Sequence, residues 1–230
     1  MKIGILGTGT VGRALAAASS DLGHDVQMGT RDIEATLARP EPEGYGASRL
    51  GPWLEQQPKI RLVTFAEAAR HAELVVNATN GAASLDALNL CGAENLAGKV
   101  ILDVANPLDF SAGMPPTLLV KDTDSLAEQI QRAFPDARVV KSLNTMNAGV
   151  MVAPGALAGA DHSVFLSGDD ADAKSTVANL LREFGWVDIV DLGEITTARG
   201  VEMVLPLWLR LMGVVGAPSF NFKIVRATGD

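Results

Sequence analysis

The amino-terminal stretch MKIGILGTGTVGRALAAASSDLGHDVQMGTRD, residues 1–32, decides the fold. Its apolar run Lys2–Leu6 predicts a buried strand, and Val11–Leu22 predicts a helix. Between them the glycines follow a Gly-x-Gly-x-x-Gly pattern, in which the first permits a tight turn, the second lets the backbone approach a pyrophosphate and the third lets the helix pack on the strand. The free N–H groups of the helix start then face the phosphates. We therefore expect a dinucleotide to bind at Gly7, Thr8, Gly9, Thr10, Val11 and Gly12.

The end of the second predicted strand, Asp25–Met28, distinguishes between the two dinucleotides. An NAD site commonly has an acid there, whereas this chain continues with Gly29, Thr30 and Arg31. The planar guanidinium of arginine suits phosphate oxygens. Thr30 and Arg31 therefore predict binding of the 2′-phosphate of NADP(H). Two alternatives stay open: Asp32 turns towards the ribose, or Arg31 is a solvated surface residue.

Strands that alternate with helices predict an α/β fold, a Rossmann-type doubly wound and mainly parallel sheet with helices on both faces. The further strands predicted for this sheet are Arg61–Phe65, Leu74–Ala78, Lys99–Val104 and Arg138–Leu143. The further helices are Ala66–His71 and Ser125–Phe134, the second with Thr123 or Asp124 as its cap. We expect an NADP-binding domain over residues 1–165 and a small C-terminal α+β domain over residues 166–230 that completes the substrate pocket.

The C-terminal part has its own predicted elements: strands Ser163–Ser167, Val187–Asp191 and Phe220–Val225, and a helix Ala171–Phe184 capped by Asp169 or Asp170. Thr197–Val215 predicts a helix that is apolar almost all round and therefore buried, with a kink at Pro206. It packs either in the monomer core or partly against a twin subunit, and we expect a homodimer. The Pro-, Gly- and Glu-rich stretch Pro40–Pro58 is either a loop over the adenosine end or a surface excursion.

Composition excludes several classes of protein. With 230 residues, 47% apolar and 20% charged, the chain has the composition of a folded globule, and its net charge of −8 argues against nucleic-acid binding. The single cysteine, Cys91, excludes an intramolecular disulfide and is expected to be buried and structural. The sequence shows no signal peptide and no apolar run of the ~20 residues that a membrane helix needs. We expect a cytoplasmic protein without a membrane partner.

Three predicted turns at the carboxyl edge of the sheet, where such folds bind ligands, are polar and uncharged. They contain Ala78, Thr79 and Asn80, then Ala105, Asn106 and Pro107, and finally Asn144, Thr145 and Met146. Polar residues of this kind are common in any single turn. Because all three turns converge at one edge of the sheet, however, they predict a pocket.

No obvious acid or base appears in these turns, and we assign no catalytic residue and no metal site. Tyr45 has Arg49 four residues later instead of lysine, which excludes a Tyr-x-x-x-Lys dehydrogenase. Lys141, within the last predicted strand of the sheet, is the one cation near the carboxyl edge that could reach the pocket. The histidines, which are expected to be structural, are His24, His71 and His162. Reduction of a ketone usually needs a proton donor on the forming alkoxide, whereas a flavin-like ring spreads the charge. The absence of an acid or base from these turns therefore favours a flat redox ring as the hydride acceptor. Catalysis would then consist of positioning this ring against the nicotinamide.

Several segments together resemble the NADPH-dependent coenzyme F420 reductases and the oxidoreductase domains of the STEAP metalloreductases, which use a flavin. They are residues 4–12, Gly29-Thr30-Arg31, VVKSLNTMNAGVM, and LSGDDADAKSTVANLLREFGW with VDLGEITTARGVEMVLPLWLRLM. The resemblance covers nearly the whole chain. It implies NADP in the glycine cleft, with F420 or a flavin stacked on the nicotinamide as the second ring. Residues 78–80 and 105–107 would line the nicotinamide, and residues 144–146 would face the second ring.

The chain departs from this family pattern at two places. Asn144-Thr145-Met146-Asn147 stands where the archaeal reductases show His-Thr-Ile-Pro, and no further basic residue follows Arg31 directly. Two alternative functions therefore stay open beside hydride transfer to F420 or a flavin. One is reduction of a small imine or carbonyl compound, and the other is a non-catalytic NADP(H)-binding redox sensor.

Overall fold

The structure, a computed structural model, describes residues 1–40 and 49–227. Its main sheet has six parallel strands in the order β3-β2-β1-β4-β5-β8. Their bounds, with those of the four described strands outside this sheet, are β1 Lys2–Leu6, β2 Asp25–Thr30, β3 Arg61–Thr64, β4 Leu74–Asn77, β5 Val100–Asp103, β6 Leu108–Asp109, β7 Thr117–Leu118, β8 Arg138–Lys141, β9 Ser163–Leu166 and β10 Asp188–Asp191. This is the doubly wound Rossmann order, and it confirms the predicted fold class.

The helices lie between the strands along the chain, and the last two follow the last strand. Their bounds are α1 Thr10–Asp21, α2 Ile33–Leu37, α3 Leu50–Glu55, α4 Phe65–His71, α5 Ser84–Cys91, α6 Ala93–Leu96, α7 Leu126–Ala133, α8 Ala148–Val152, α9 Ala171–Glu183, α10 Ala198–Met203 and α11 Leu205–Val215. Within the described residues, no helix is long and apolar enough to cross a membrane.

The two faces of the sheet bury two separate apolar clusters, because successive side chains of a strand point to opposite faces. Ile3 and Ile5 of β1 pack in one cluster with α1, α8 and α9. Leu6 packs in the other with α4, α5 and α7. The first cluster also includes Leu180 of α9, so it spans the proposed boundary at residue 165. That boundary stays a prediction.

The C-terminal part differs from the sequence prediction in two elements. The predicted strand Phe220–Val225 is wrong, because residues 220–225 form no strand. Their backbone bond to the β9 segment is the one that Ser163 N donates to Phe222 O. β9 and β10 pair with each other as a separate parallel pair. The predicted helix Thr197–Val215 is split at Val204, since Pro206 in the first turn of α11 has no N–H to continue α10.

Within a single chain, this apolar helix is exposed for much of its length, so the monomer core does not bury it. Packing against a twin subunit stays a prediction. In α11 only Leu205 and Trp208 are buried, whereas Leu207 and Val215 are about half exposed and Val214 is 86% exposed. Hydrophobic composition alone does not tell which side of a helix the remaining fold covers.

Of the two predicted helix caps, one differs from the prediction and the other confirms it. α7 is capped by Ser125, whose Oγ accepts from Glu128 N, and not by Thr123 or Asp124. Asp124 instead pairs with Arg132. α9 is capped by Asp170, one of the two candidates.

The stretch Pro40–Pro58 contains a helix that its composition did not predict. α3 buries Leu50 and packs Trp53 against the core, and the guanidinium of Arg13 lies 5.8 Å from the Trp53 ring. Residues 41–48, which include Tyr45, lie outside the described part of the chain.

Substitution of Gly12 tests the close packing of α1 on β1. A Cβ at Gly12 would overlap the carbonyl oxygen of Gly7, whereas a Cβ at Gly9 has no heavy atom of the described residues within 4 Å. We expect Gly12→Ala to lower the free energy of unfolding by about 1–3 kcal/mol and Gly9→Ala to leave it unchanged. Urea unfolding of both variants measures this, and equal stability of the two would contradict the packing.

Candidate functional site

The glycine turn forms the crevice at the point where the strand order reverses. Gly7 has φ of +113°, and a Cβ there would lie 2.5 Å from the carbonyl oxygen of Ala78, so only glycine lets the two turns meet. α1 begins at Thr10, one residue before the predicted start, with Gly9 as its N-cap and no side chain capping it. The open space at Gly9 leaves room for a phosphate group to approach the backbone.

A first cavity of about 280 Å³ extends from this turn to the end of β2. It is lined by Gly7, Thr8, Gly9, Thr30, Arg31, Arg39, Phe65, Ala78, Thr79, Asn80, Ala83 and Ala87. Both predicted 2′-phosphate residues therefore line one cavity with the glycine turn. Among its described lining residues there is no carboxylate, which suits an anionic ligand.

The two candidate phosphate residues differ in their contacts. Arg31 is exposed, whereas Thr30 is buried and its Oγ1 lies 2.7 Å from Thr36 Oγ1. Asp32 accepts from Ala35 N at 2.9 Å and caps α2. That contact directs its carboxylate to the helix and disfavours the alternative in which Asp32 meets the ribose.

Arg39 is a further residue of this end of the site that sequence reasoning missed. It lines both the first cavity and an adjoining one of about 190 Å³, to which Arg13 and Arg49 also contribute. A basic residue shortly after α2 was the available signal in the sequence. Its spacing of eight residues from Arg31, however, fits no known motif of a glycine turn.

A second cavity of about 240 Å³ lies on the other side of the crevice. It is lined by Val11, Ala78, Thr79, Asn80, Gly81, Val104, Ala105, Asn106, Leu108 and Phe110. The first two predicted turns therefore converge, and a Cβ at Gly81 would overlap the carbonyl oxygen of Asn106. Pro107 is not among the lining residues, because it is buried and its carbonyl accepts from Leu119 N. None of the described lining residues is charged.

The third predicted turn is placed differently. Asn144, Thr145 and Met146 are all buried, and none lines the cavities described above. Asn144 nevertheless reaches the second cavity's wall, because its Nδ2 donates to Asn106 Oδ1 at 3.0 Å and its carbonyl accepts from Asn106 Nδ2 at 2.9 Å. Leu143, just before it, has φ of +62°, a conformation that a side chain disfavours.

The hairpin of β6 and β7 supplies an apolar wall that sequence reasoning also missed. Phe110, which follows β6, is 50% exposed and lines the second cavity beside Leu108. The chain between the two strands joins them in antiparallel register, Leu108 opposite Leu118. The available signal was an aromatic residue three positions after Pro107 of the predicted turn.

Charged side chains lie behind the second cavity. Lys141 is fully buried and pairs with Asp103 at 2.8 Å and Glu202 at 2.9 Å. Burial alone would lower the pKa of Lys141, but the two carboxylates outweigh it, and the pKa is raised. Lys141 is therefore a buried ammonium held by ion pairs and does not line either cavity, contrary to its prediction as a cation in reach.

The remaining titratable candidates make structural contacts. His24 pairs with Glu183 and His71 with Asp25, and the buried His162 lies against Pro154 O. Cys91 is buried as predicted, and burial raises its thiol pKa to about 12. The described residues form no group of three or more side chains that could hold a metal ion.

Comparison with known proteins agrees with this geometry. Residues 2–107 match the profile of the family described as NADP oxidoreductase, coenzyme F420-dependent. The crystal structure of a candidate F420-dependent NADP reductase from Arthrobacter sp. FB24 is similar with a TM-score of 0.94 and 61% identity, over 98% of this chain and 100% of that one. The F420-dependent NADP reductase of Methanothermobacter marburgensis is 28% identical over 92% of each protein.

Another relative is much longer. Metalloreductase STEAP3 of Rattus norvegicus is 31% identical over 212 residues, which make up 90% of this chain and 38% of that protein. The chain thus spans little more than a third of that relative's length.

The doubly wound sheet and the crevice at its switch point define a protein of the Rossmann class, whose members bind dinucleotides at this crevice. The match to the Arthrobacter structure, over nearly the full length of both chains, identifies the family within this class. This chain belongs to the family of coenzyme F420-dependent NADP oxidoreductases, as its resemblance predicted.

Charge reversal at Arg31 tests the 2′-phosphate site. Because a charge-assisted hydrogen bond contributes about 1.5–3 kcal/mol, Arg31→Glu is expected to weaken NADPH binding by roughly tenfold to a hundredfold and NADH binding far less. Arg39→Ala should act in the same direction. Arg182→Glu, an equal charge change on the exposed end of α9, is the matched control. Titration of nucleotide fluorescence measures the dissociation constants, and an equal loss for NADPH and NADH would remove Arg31 from the phosphate site.

Proposed function

We propose that this protein transfers a hydride between NADPH and the deazaflavin ring of coenzyme F420. The observation that carries the proposal is the second cavity, whose described lining residues are uncharged and whose outer wall is apolar. Without an acid or base at the nicotinamide, which we place in this cavity, hydride transfer suits an acceptor that disperses charge over its ring and takes its proton from solvent. The family to which the chain belongs supports the same acceptor.

The residues present fit NADP(H). The start of α1, after Gly9, has no side-chain cap, which leaves the N–H groups of its first turn for the pyrophosphate. Arg31, with Arg39 beside the same cavity, would hold the 2′-phosphate, and Thr30 would support that end of the site. When bound, NADPH supplies the hydride.

The chain's own contribution to the reaction is positioning and exclusion of water. Ala78, Thr79 and Asn80 would line the nicotinamide on one side, with Ala105 and Asn106 on the other. Pro107 would act there only as the buried residue that follows Asn106 in the turn. A site of this kind accelerates hydride transfer by holding two flat rings in contact. Asn144, Thr145 and Met146 stay a prediction for the acceptor side, and Asn144 would act there through its bonds to Asn106.

Assembly and location stay predictions of the same kind. The exposed apolar residues Leu207, Val214 and Val215 of α11 support a homodimer in which a twin subunit covers this helix. The cytoplasmic location and the small C-terminal domain over residues 166–230 are likewise proposals.

The first experiment follows NADPH oxidation with F420, FMN, FAD and no acceptor in parallel. We expect loss of the F420 absorbance band together with NADPH, in equal molar amounts, and no turnover without an acceptor. Reduction of the flavins alone would contradict F420 as the acceptor and identify a flavin reductase. NADPH binding without any turnover would contradict ring reduction and favour a reductase of a small imine or carbonyl compound, or a redox sensor.

Phe110 tests the apolar wall of the second cavity. If its ring stacks on the acceptor, Phe110→Ala removes a contact of about 0.5–1.5 kcal/mol and raises the KM for F420 by roughly two- to tenfold, with the NADPH dissociation constant unchanged. Met114→Ala is the control, because Met114 lies on the same hairpin, is 72% exposed and does not line the cavity. A KM for F420 equal in both variants would exclude stacking at Phe110.

A further inference from the structure

A buried charge cluster lies directly behind the second cavity and has no role in the function proposed above. The ammonium of Lys141 has three donors, and three acceptors surround it: Asp103 Oδ2 at 2.8 Å, Glu202 Oε1 at 2.9 Å and the carbonyl oxygen of Ala105. All three ionised side chains are buried to 1% exposure or less. One side chain therefore joins the end of β5, the turn after it and helix α10.

The cluster continues to the other turn of the cavity through Asn77. Asp103 Oδ1 accepts from Asn77 Nδ2 at 2.8 Å and from Ala105 N at 3.2 Å. Asn77 Oδ1 in turn accepts from Thr79 Oγ1 at 2.7 Å. Thr79 and Ala105 both line the second cavity, so both of its polar turns are hydrogen-bonded to the same buried cluster.

Helix α10 is bonded to this part of the site by two consecutive residues. Glu202 pairs with Lys141 and also accepts from Leu126 N and Ala127 N at the start of α7. The carbonyl of Val201 accepts from Asn144 Nδ2 at 2.9 Å, and Asn144 is bonded to Asn106. Helix α10 is therefore connected to the Ala105–Asn106 turn by two separate series of hydrogen bonds, one through Lys141 and one through Asn144.

Stability alone does not account for this arrangement. Taking two carboxylates and an ammonium out of water is costly, and well-packed apolar residues of similar volume are often as stabilising. The ionic hydrogen bonds add a defined geometry, because each one fixes a donor and an acceptor at a set distance and angle. In this cluster, the hydrogen bonds lead to the backbone and side chains that line the second cavity, so they fix the positions of those groups.

We propose that Lys141 and Glu202 are positioning residues, which hold the two turns of the second cavity in the geometry that orients the nicotinamide ring. The proposal rests on the proposed function, because it assigns the nicotinamide to this cavity. Through this cluster, the orientation of the nicotinamide ring depends on the position of α10. This helix comes after all six strands of the main sheet in the sequence. Small displacements of a reacting ring have large effects on rate.

The test compares two substitutions on α10. Glu202→Gln removes the charge that reaches Lys141, whereas Arg199→Gln removes the ion pair to Glu128, which joins the same helix to α7 without contact with the cavity turns. Both should lower the melting temperature. Only Glu202→Gln is expected to lower kcat with F420, by about tenfold, with the NADPH dissociation constant unchanged.

A second readout does not depend on any acceptor. The fluorescence of bound NADPH rises when its ring is immobilised, so Glu202→Gln should reduce this enhancement at saturation while Arg199→Gln retains it. Glu202→Asp keeps the charge but shortens the side chain by one methylene group. A positioning role predicts a reduced enhancement for Glu202→Asp as well, even where Glu202→Gln is too unstable to purify.

The outcomes separate the two proposals. Wild-type kcat and fluorescence in the Glu202 variants, or equal losses in Arg199→Gln, would overturn the positioning role and leave the proposed function intact. If the wild-type protein does not reduce F420, the proposal that F420 is the acceptor is overturned. If the NADPH fluorescence enhancement is nevertheless lost in the Glu202 variants and kept in Arg199→Gln, the positioning role is supported.

Discussion

The contact between two backbone turns, at Gly7 and at Ala78, is the constraint on which the site depends. β1 pairs with β2 on one side and β4 on the other, so Leu6 has Gly29 and Asn77 as its neighbours in register. The turns after β1 and β4 leave the sheet side by side, and they can meet only because residue 7 has no Cβ. The crevice between them opens into a cavity on each side, and the start of α1 lies at their junction.

Electrostatics divides the site into two halves. The first cavity, proposed for the adenosine end, has arginines among its described lining residues and no carboxylate, which suits a phosphorylated ribose. The second cavity, proposed for the nicotinamide, has no charged residue among its described lining residues. The charges of Asp103, Lys141 and Glu202 lie close to the second cavity, but they are buried and paired with one another. In the proposed function, these charges support the cavity without exposing the reacting rings to an acid or a base.

The carboxyl edge of the sheet combines this network with local strain. Asn77, Asp103 and Lys141 lie opposite one another in register on β4, β5 and β8. Just beyond β8, Leu143 adopts a positive φ, which the bonds of Asn144 to Asn106 and Val201 hold in place. The turn that departs from the family pattern in sequence is thus strained and tightly bonded in three dimensions.

Local sequence by itself determined the sheet, the glycine turn and the arginine at the end of β2, because strand periodicity, glycine spacing and charge are properties of short segments. It also predicted two of the three turns that converge on the cavities. It did not predict Arg39, Phe110 or the burial of Lys141, and it predicted a strand at Phe220–Val225 that does not form. Only tertiary structure decided these, because they depend on which segments distant in the chain pack together. Lys141 is buried since Asp103 and Glu202, 38 and 61 positions away in sequence, supply its counter-charges, and no local pattern encodes that meeting.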